Sequence, residues 1–339
     1  MDLSGKKILI TNCCGLGDLI VFTPVLRSLK EKFPSCHITF ICRDNHRDVL
    51  ANLPYVDKVT CIYRGKSFGR YRPIPALFNQ DIAIFTDWQP VLILFSKLLQ
   101  IPFVAGYTRK NHILSKCFTK ELSGHILSSS DYAAVTQARI FEKLFDIKFE
   151  GDMQKLEISA PTTNDIQSVN KMLESIGLKS DSQYILMTPF TGFEPRNLPF
   201  NNAVEFVEMV EKKYKLPVVI SSPKEKYGIS KEISKYTLTA ETSIREFVEL
   251  VKRSEILVTP DSGPMHVAGA VEKKCVAIFS KDLPSRWAPK KNCIPLYLNL
   301  SCSPCDNETA KNCKHLNCMN NVTADIIFDA CDRLIKVTD

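Results

Sequence analysis

Three short turns and one cysteine-rich loop hold the side chains of this 339-residue chain whose types and spacing fit chemistry. The first turn, Cys13-Cys14-Gly15-Leu16-Gly17-Asp18, has two glycines that let backbone approach a ligand, and a carboxylate where a helix is about to start. Such a carboxylate can take a proton from an attacking hydroxyl within hydrogen-bond reach. The plainer alternative is that Asp18 only offsets the helix dipole, worth about 0.3–1 kcal/mol. Ile20 stands where a dinucleotide fingerprint has its third glycine, so a dinucleotide is not expected. The second turn, Asp261-Ser262-Gly263-Pro264-Met265-His266, opens a helix at Pro264, and the N–H groups of such a helix end suit a diphosphate. His266 in its first turn is a candidate partner for phosphate or ribose, against the alternative of an ordinary core histidine. The third, Pro189 to Pro199, contains Arg196, a permanently charged donor to phosphate oxygens or else a solvated surface side chain. Finally, Cys302-x2-Cys305-x7-Cys313-x4-Cys318, with His315 nearby, has enough thiols for a structural zinc or iron centre, or is a loop of reduced thiols.

The elements that must position these turns follow from hydrophobic periodicity. Lys7 to Asn12 reads as a buried strand, Gly17 to Phe33 has helical spacing, and His37 to Cys42 is again a strand, so the first turn lies in a βαβ unit. Further strands are expected at Lys58–Ile62, Ile82–Phe85 and Phe103–Ala105, and a helix at about Asp131–Phe145. A polar stretch from Ser159 to Asp165 reads as a linker. The alternation then resumes: helix 165–176, strand 184–188, helix 201–213, strand 217–221, helix 243–253, strand 256–259, helix 264–271, strand 275–279 and a final helix 325–335. All three turns therefore fall between a strand and a helix, at the edge where open α/β sheets bind ligands.

Composition narrows the function classes. With 45% hydrophobic and 24% charged residues the chain is globular, and its length suits two α/β domains. The stretch from Val91 to Gly106, interrupted by Lys97 and Gln100, is too short for a spanning helix, and the N-terminus shows no signal-peptide pattern, so a cytoplasmic protein is expected. Thirteen cysteines in that compartment are not a disulfide framework. The formal charge of +7 sits mainly in residues 1–160, with 21 Lys and Arg against 15 Asp and Glu. This small excess, without a recognisable aromatic and basic module, argues against nucleic acid, and charge alone does not choose between an anionic small partner, a membrane surface and a merely solubilising face. Arg64, Lys66, Arg70, Arg72, Arg109, Lys110, Lys116 and Lys120 are its candidates.

Taken in order, these segments resemble glycosyltransferase family 9, the bacterial ADP-heptose lipopolysaccharide heptosyltransferases. The residues that carry the resemblance are Ile8–Ile10, Gly15–Asp18 and Thr23–Lys30, then Asp261–Ala270, Val276–Phe279 and Pro284–Pro289. It implies an α/β GT-B fold, two Rossmann-like domains facing across a central cleft: residues 1–160 for the acceptor, 161–322 for the nucleotide-sugar, and a terminal helix in 323–339 crossing back onto the first domain. It also implies inverting transfer of a sugar, heptose from ADP-heptose, with Asp18 as general base. Arg196, Asp261, Ser262, Gly263 and His266 would bind donor. Gly15, Gly17, Arg64, Arg70, Arg109 and Lys110 would face an anionic glycolipid or protein acceptor at the cytoplasmic side of the inner membrane. Similar cysteine patterns in heptosyltransferase-like sequences support a metal at Cys302, Cys305, Cys313 and Cys318. The chain departs from the family's usual pattern at Ser262 (usually Thr), Pro264 (usually Leu) and Arg196-Asn197-Leu198-Pro199 (usually Lys-x-Trp-Pro). Competing readings are a transferase using another sugar nucleotide, a sugar-nucleotide epimerase, and a non-enzymatic metal-linked scaffold.

Overall fold

Strand β1 (Lys7–Thr11) is buried along all but its first residue, as befits a central strand covered on both faces. In the computed structural model, which describes residues 1–63, 68–109, 112–122 and 130–336, it pairs in parallel with β2 (His37–Arg43) and β4 (Ile82–Phe85). With β3 (Lys58–Ile62), β5 (Phe103–Gly106) and β6 (Lys120–Glu121) they form one sheet ordered β3-β2-β1-β4-β5-β6. Its helices are α1 (Leu16–Lys32), α2 (Pro90–Leu98) and α3 (Ala133–Phe145). Because the strand order reverses between β1 and β4, the loops leaving their carboxyl ends diverge there and open a crevice.

Helix α1 contains Pro24, which has no N–H to give the carbonyl of Ile20 one turn back. The hydroxyl of Thr23 donates to that carbonyl instead, at 2.7 Å, and accepts the N–H of Glu157 at 3.0 Å. Thr23 is fully buried. Thr23→Val keeps its shape but orphans both groups, and a loss of about 1–3 kcal/mol is expected in urea unfolding.

The second sheet comprises β7 (Ile185–Met187), β8 (Val218–Ile220), β9 (Leu257–Pro260), β10 (Cys275–Phe279) and β11 (Cys293–Tyr297), all parallel, in the order β11-β10-β9-β7-β8. Here the reversal lies between β7 and β9. The helices are α4 (Thr163–Ser175), α5 (Phe200–Tyr214), α6 (Tyr227–Ile233), α7 (Ile244–Arg253), α8 (Gly263–Ala270), the short α9 (Pro284–Trp287), α10 (Asn307–Lys311) and α11 (Asn317–Asn320), and α12 (Ala324–Lys336). Helix α7 begins with a capping box, Ser243 accepting from the N–H of Glu246 while Glu246 accepts from that of Ser243.

Two compact units result, Met1–Ser159 and Ala160–Asp339. The terminal helix α12 buries Ile327, Phe328, Ala330 and Cys331 in the core of the second unit, with Phe206 and Val210 of α5 and Val276 and Ile278 of β10. Tyr214 stacks on Phe328 at 5.5 Å, and Asp332 binds Lys213 at 2.8 Å. Apolar side chains recurring along one face of α12 need a partner, and α5 supplies it.

Candidate active site

In the first unit the crevice between β1 and β4 is lined by Thr11 to Asp18 on one side and Thr86 to Gln89 on the other. Thr11 Oγ1 donates to Asp87 Oδ1 at 2.7 Å, tying the two loops together, and Arg43 Nε donates to the Cys13 carbonyl. Gly15 is the N-cap of α1, with ordinary extended φ of −75°. A side chain there would be tight against the carboxylate: an added Cβ would lie 3.0 Å from Asp18 Oδ2, which would have to give by a few tenths of an ångström. The half-buried Asp18 accepts the N–H of Gly15 at 2.9 Å, so the helix-capping role foreseen for it is real, and its carboxylate is held in place at the switch point. Gly17 occupies the first turn of α1.

Of the basic candidates in this unit, Arg109 lies over the Trp88 ring at 4.6 Å, and Trp88 also meets His112 edge-on at 4.8 Å. Arg72 lies over Tyr63 at 4.6 Å. Arg109 is thus brought to the loop after β4 that carries Trp88. Arg64, Lys66, Lys110 and the side chain of Arg70 lie outside the described residues.

In the second unit the loops after β7 and β9 flank the switch point, and they carry Arg196 and Asp261. Arg196 is no free surface cation. Its Nη1 donates to the Asp261 carbonyl at 3.0 Å and lies 3.5 Å from Asp261 Oδ2, while Nη2 donates to Asp282 Oδ2 at 2.7 Å. Lys281 Nζ meets the same Asp282 carboxylate at 2.9 Å. Asp261 is buried, and burial pushes its carboxyl up to about 7, Arg196 opposing the rise and Asp282 adding to it. Ser262 is the N-cap of α8, yet its hydroxyl donates backwards to the Pro260 carbonyl at 3.0 Å and no side chain caps the helix. Gly263 therefore opens the helix at its positive dipole end without a capping hydrogen bond from the Ser262 side chain. His266 is buried beside Trp287, ring centroids 6.1 Å apart. Two buried nitrogens on these residues lack a hydrogen-bond partner, His266 Nδ1 and Arg196 Nε. Buried polar groups left unpaired are uncommon, and an anionic ligand is one physical reason for them.

Burial alone lowers the His266 pKa to about 4. Its folded value lies below the unfolded 6.5, so the stability it contributes is present above pH 6.5 and lost as pH falls toward 4. Relative to His266→Gln, the protein is expected to lose about 3 kcal/mol of unfolding free energy over that window. Urea unfolding of both proteins at several pH values measures the difference in slope; parallel curves would contradict a buried neutral imidazole.

Asp282, Lys281 and Trp287 complete the constellation around Arg196 and His266. Asp282 and Lys281 went unrecognised in the sequence, although they follow the carboxyl end of β10 just as Asp261 follows β9.

In the cysteine loop, no three His, Cys, Asp or Glu side chains among the described residues are grouped closely enough to hold a metal ion as they stand. Cys302 is exposed, Cys313 Sγ lies 3.7 Å from His315 Nε2, and burial raises the pKa of the Cys305 and Cys318 thiols. All four thiols are free.

The sequence profile of glycosyltransferase family 9 (heptosyltransferase) matches residues 93–316, well over half the chain. The chain belongs to glycosyltransferase family 9. It is 24% identical over 304 residues to lipooligosaccharide heptosyltransferase 2 of Haemophilus influenzae, covering 84% of this chain and 86% of that protein. Among solved structures, a family 9 glycosyl transferase from Veillonella parvula superimposes with a TM-score of 0.81 at 20% identity, covering 98% of each chain. The E. coli ADP-heptose lps heptosyltransferase II gives 0.73 at 17% identity, over 98% of this chain and 99% of that one. The fold of this family 9 member is thus GT-B α/β, built from two Rossmann-like units, and the protein is a glycosyltransferase of the heptosyltransferase family.

Proposed function

We propose that this family 9 enzyme transfers heptose from ADP-heptose to a lipooligosaccharide-core acceptor with inversion at the transferred carbon. The observation that carries the donor half is the pair of buried, unpartnered nitrogens, His266 Nδ1 and Arg196 Nε, near the uncapped start of α8. A diphosphate offers oxygens to both and to the helix end, and negative charge develops on it as the glycosidic bond breaks. Fixed dipoles and cations stabilise that charge without reorganising. Asp261, Ser262 and Gly263 shape this loop, and Asp282 holds the Arg196 fork. The adenine base and the heptose are supported by the relatives, whose names state an ADP-heptose donor or a lipooligosaccharide product.

In this reading Asp18 accepts the proton of the attacking acceptor hydroxyl, which displaces ADP in a single step and so inverts the carbon attacked. A carboxylate fixed at the first unit's switch point by the Gly15 N–H supports that role. Gly15, Gly17 and Arg109 form the acceptor side, with an anionic glycolipid as acceptor. Among the described residues no helix is long and apolar enough to cross a membrane, and we place the enzyme at the cytoplasmic face of the inner membrane, where such an acceptor is presented.

The test is calorimetric titration of the full-length protein with ADP, UDP, GDP and CDP, followed by turnover of ADP-heptose with a lipooligosaccharide-core acceptor. Selective ADP binding and acceptor-dependent ADP release are expected. Preference for another nucleotide would replace the donor, and ADP-heptose consumption without acceptor would replace the reaction.

A further inference from the structure

We propose that the outer side of α2, with the turns packed against it, is a docking surface for an anionic lipid bilayer. This reading stands apart from the donor site, since vesicle binding requires no nucleotide.

Helix α2 is apolar nearly all round. Leu92 and Ile93 are buried in the first unit's core, with Phe95 and Leu99 packed on it. On the other side Leu94 and Leu98, one turn apart, are exposed, with the exposed Lys97 between them. An apolar helix that keeps one leucine stripe in water lacks a partner for it. The short turns Gly69–Tyr71, Ile74–Leu77 and Ile113–Cys117 all pack against α2. At or beside them stand Phe68, 78% exposed, and Ile113, 75% exposed, together with the exposed Tyr71 and Phe78. Six of the ten exposed large hydrophobic side chains among the described residues thus fall between positions 68 and 113. Scattered single exposures are normal in proteins; a concentration on adjoining elements marks an interaction surface.

Charge chooses the occupant. Between Tyr63 and Leu122 the sequence holds nine Lys and Arg against three Asp and Glu, while the rest of the first 160 residues is balanced at twelve each. Two of the three acids are engaged elsewhere: Asp81 accepts the N–H of Lys7 at 2.8 Å, and Asp87 the hydroxyl of Thr11. The exposed cations Arg72, Lys97 and Lys116 lie on or beside the same elements as the apolar side chains. A second copy would set like charges against each other, and a nucleic acid backbone has no use for exposed leucines. A bilayer with anionic headgroups satisfies both, taking aliphatic side chains below the headgroups and cations among them. Nine residues of helix rise only about 13 Å, so α2 lies in the interface and does not cross it.

The experiment is co-sedimentation of the full-length protein, without nucleotide, with vesicles of phosphatidylcholine alone and of phosphatidylcholine mixed equally with phosphatidylglycerol. Wild type is expected to partition onto the anionic vesicles and to be released by salt. The double variant Leu94→Ser/Leu98→Ser should weaken partitioning at least about tenfold, and Lys97→Gln and Lys116→Gln about fivefold each. All these side chains are exposed, so Tm and ADP binding should stay at wild-type values, which separates failure of this proposal from failure of the donor-site reading. Absence of vesicle binding, equal binding to both vesicle types, or indifference to the leucine pair would each overturn it. A wild-type dimer that the leucine variant dissociates in gel filtration would also overturn it, by assigning the surface to a second copy.

Discussion

In the Asp18→Asn variant kcat is expected to fall by roughly 10²- to 10⁴-fold, the usual contribution of a positioned general base, with ADP affinity changing by less than about twofold. Asparagine is the informative replacement. Its side-chain oxygen can still accept the Gly15 N–H that Asp18 accepts at 2.9 Å, so the start of α1 keeps its hydrogen bond. The cost to folding is then limited to the charge at the helix start, about 0.3–1 kcal/mol. What asparagine cannot do at neutral pH is take a proton from an acceptor hydroxyl. Gly15→Ala probes the same carboxylate by displacement, since its Cβ would press on Asp18 Oδ2, and should lower kcat while leaving ADP binding alone. Steady-state kinetics alongside ADP calorimetry separates these effects. If Asp18→Asn lost ADP affinity as severely as turnover, the carboxylate would belong to donor binding and the base would have to be sought elsewhere.

For Arg196→Ala, ADP binding is expected to weaken by about 10- to 100-fold, the range for losing hydrogen bonds from a charged donor to a buried anion. A second consequence follows from the pairing with acids. With the guanidinium gone, Asp261 and Asp282 are left facing each other with Lys281 alone to balance them. The Asp261 carboxyl, already raised by burial, then rises further, because Arg196 is what opposes the rise. The variant should therefore be less stable at neutral pH as well as weaker for ADP. Arg196→Lys restores the charge without the planar fork that reaches Asp261 and Asp282 together, so intermediate affinity is expected. Unchanged ADP binding in Arg196→Ala would remove this residue from the donor site and with it the reading of the buried Nε as a ligand-facing group.

Much of the architecture is legible in the sequence, because parallel strands covered on both faces are written as continuous apolar runs: Lys7–Thr11, Ile82–Phe85 and Cys275–Phe279 all lie within such segments. Two strands carry no such signal, each for a physical reason. β11 contains Pro295, which argues against a strand in the middle of a sheet, and β11 proves to be the edge strand of its sheet, where a missing N–H is tolerated. β6 is two exposed residues long and carries no pattern. Helix α2 was hidden for the opposite reason, since apolar residues on every side erase the helical period.

At the site, the sequence by itself determined the turns: glycines beside Asp18, and Ser262, Gly263 and His266 at the start of a helix, are local patterns in which neighbours along the chain are neighbours in space. The family resemblance rested on those local patterns. What only the tertiary structure decided are the long-range pairings. Arg196 and Asp282 stand 86 positions apart and meet at 2.7 Å because β7 and β10 lie on either side of β9 in one sheet. The environment of His266, buried and neutral, depends on what packs over it, including Trp287. The destination of α12 depended on which core offered its apolar stripe a matching surface, and α5 does. Periodicity and turn chemistry act over a few residues and can be read from one strand of text; charge pairing, burial and ligand geometry are properties of the packed chain.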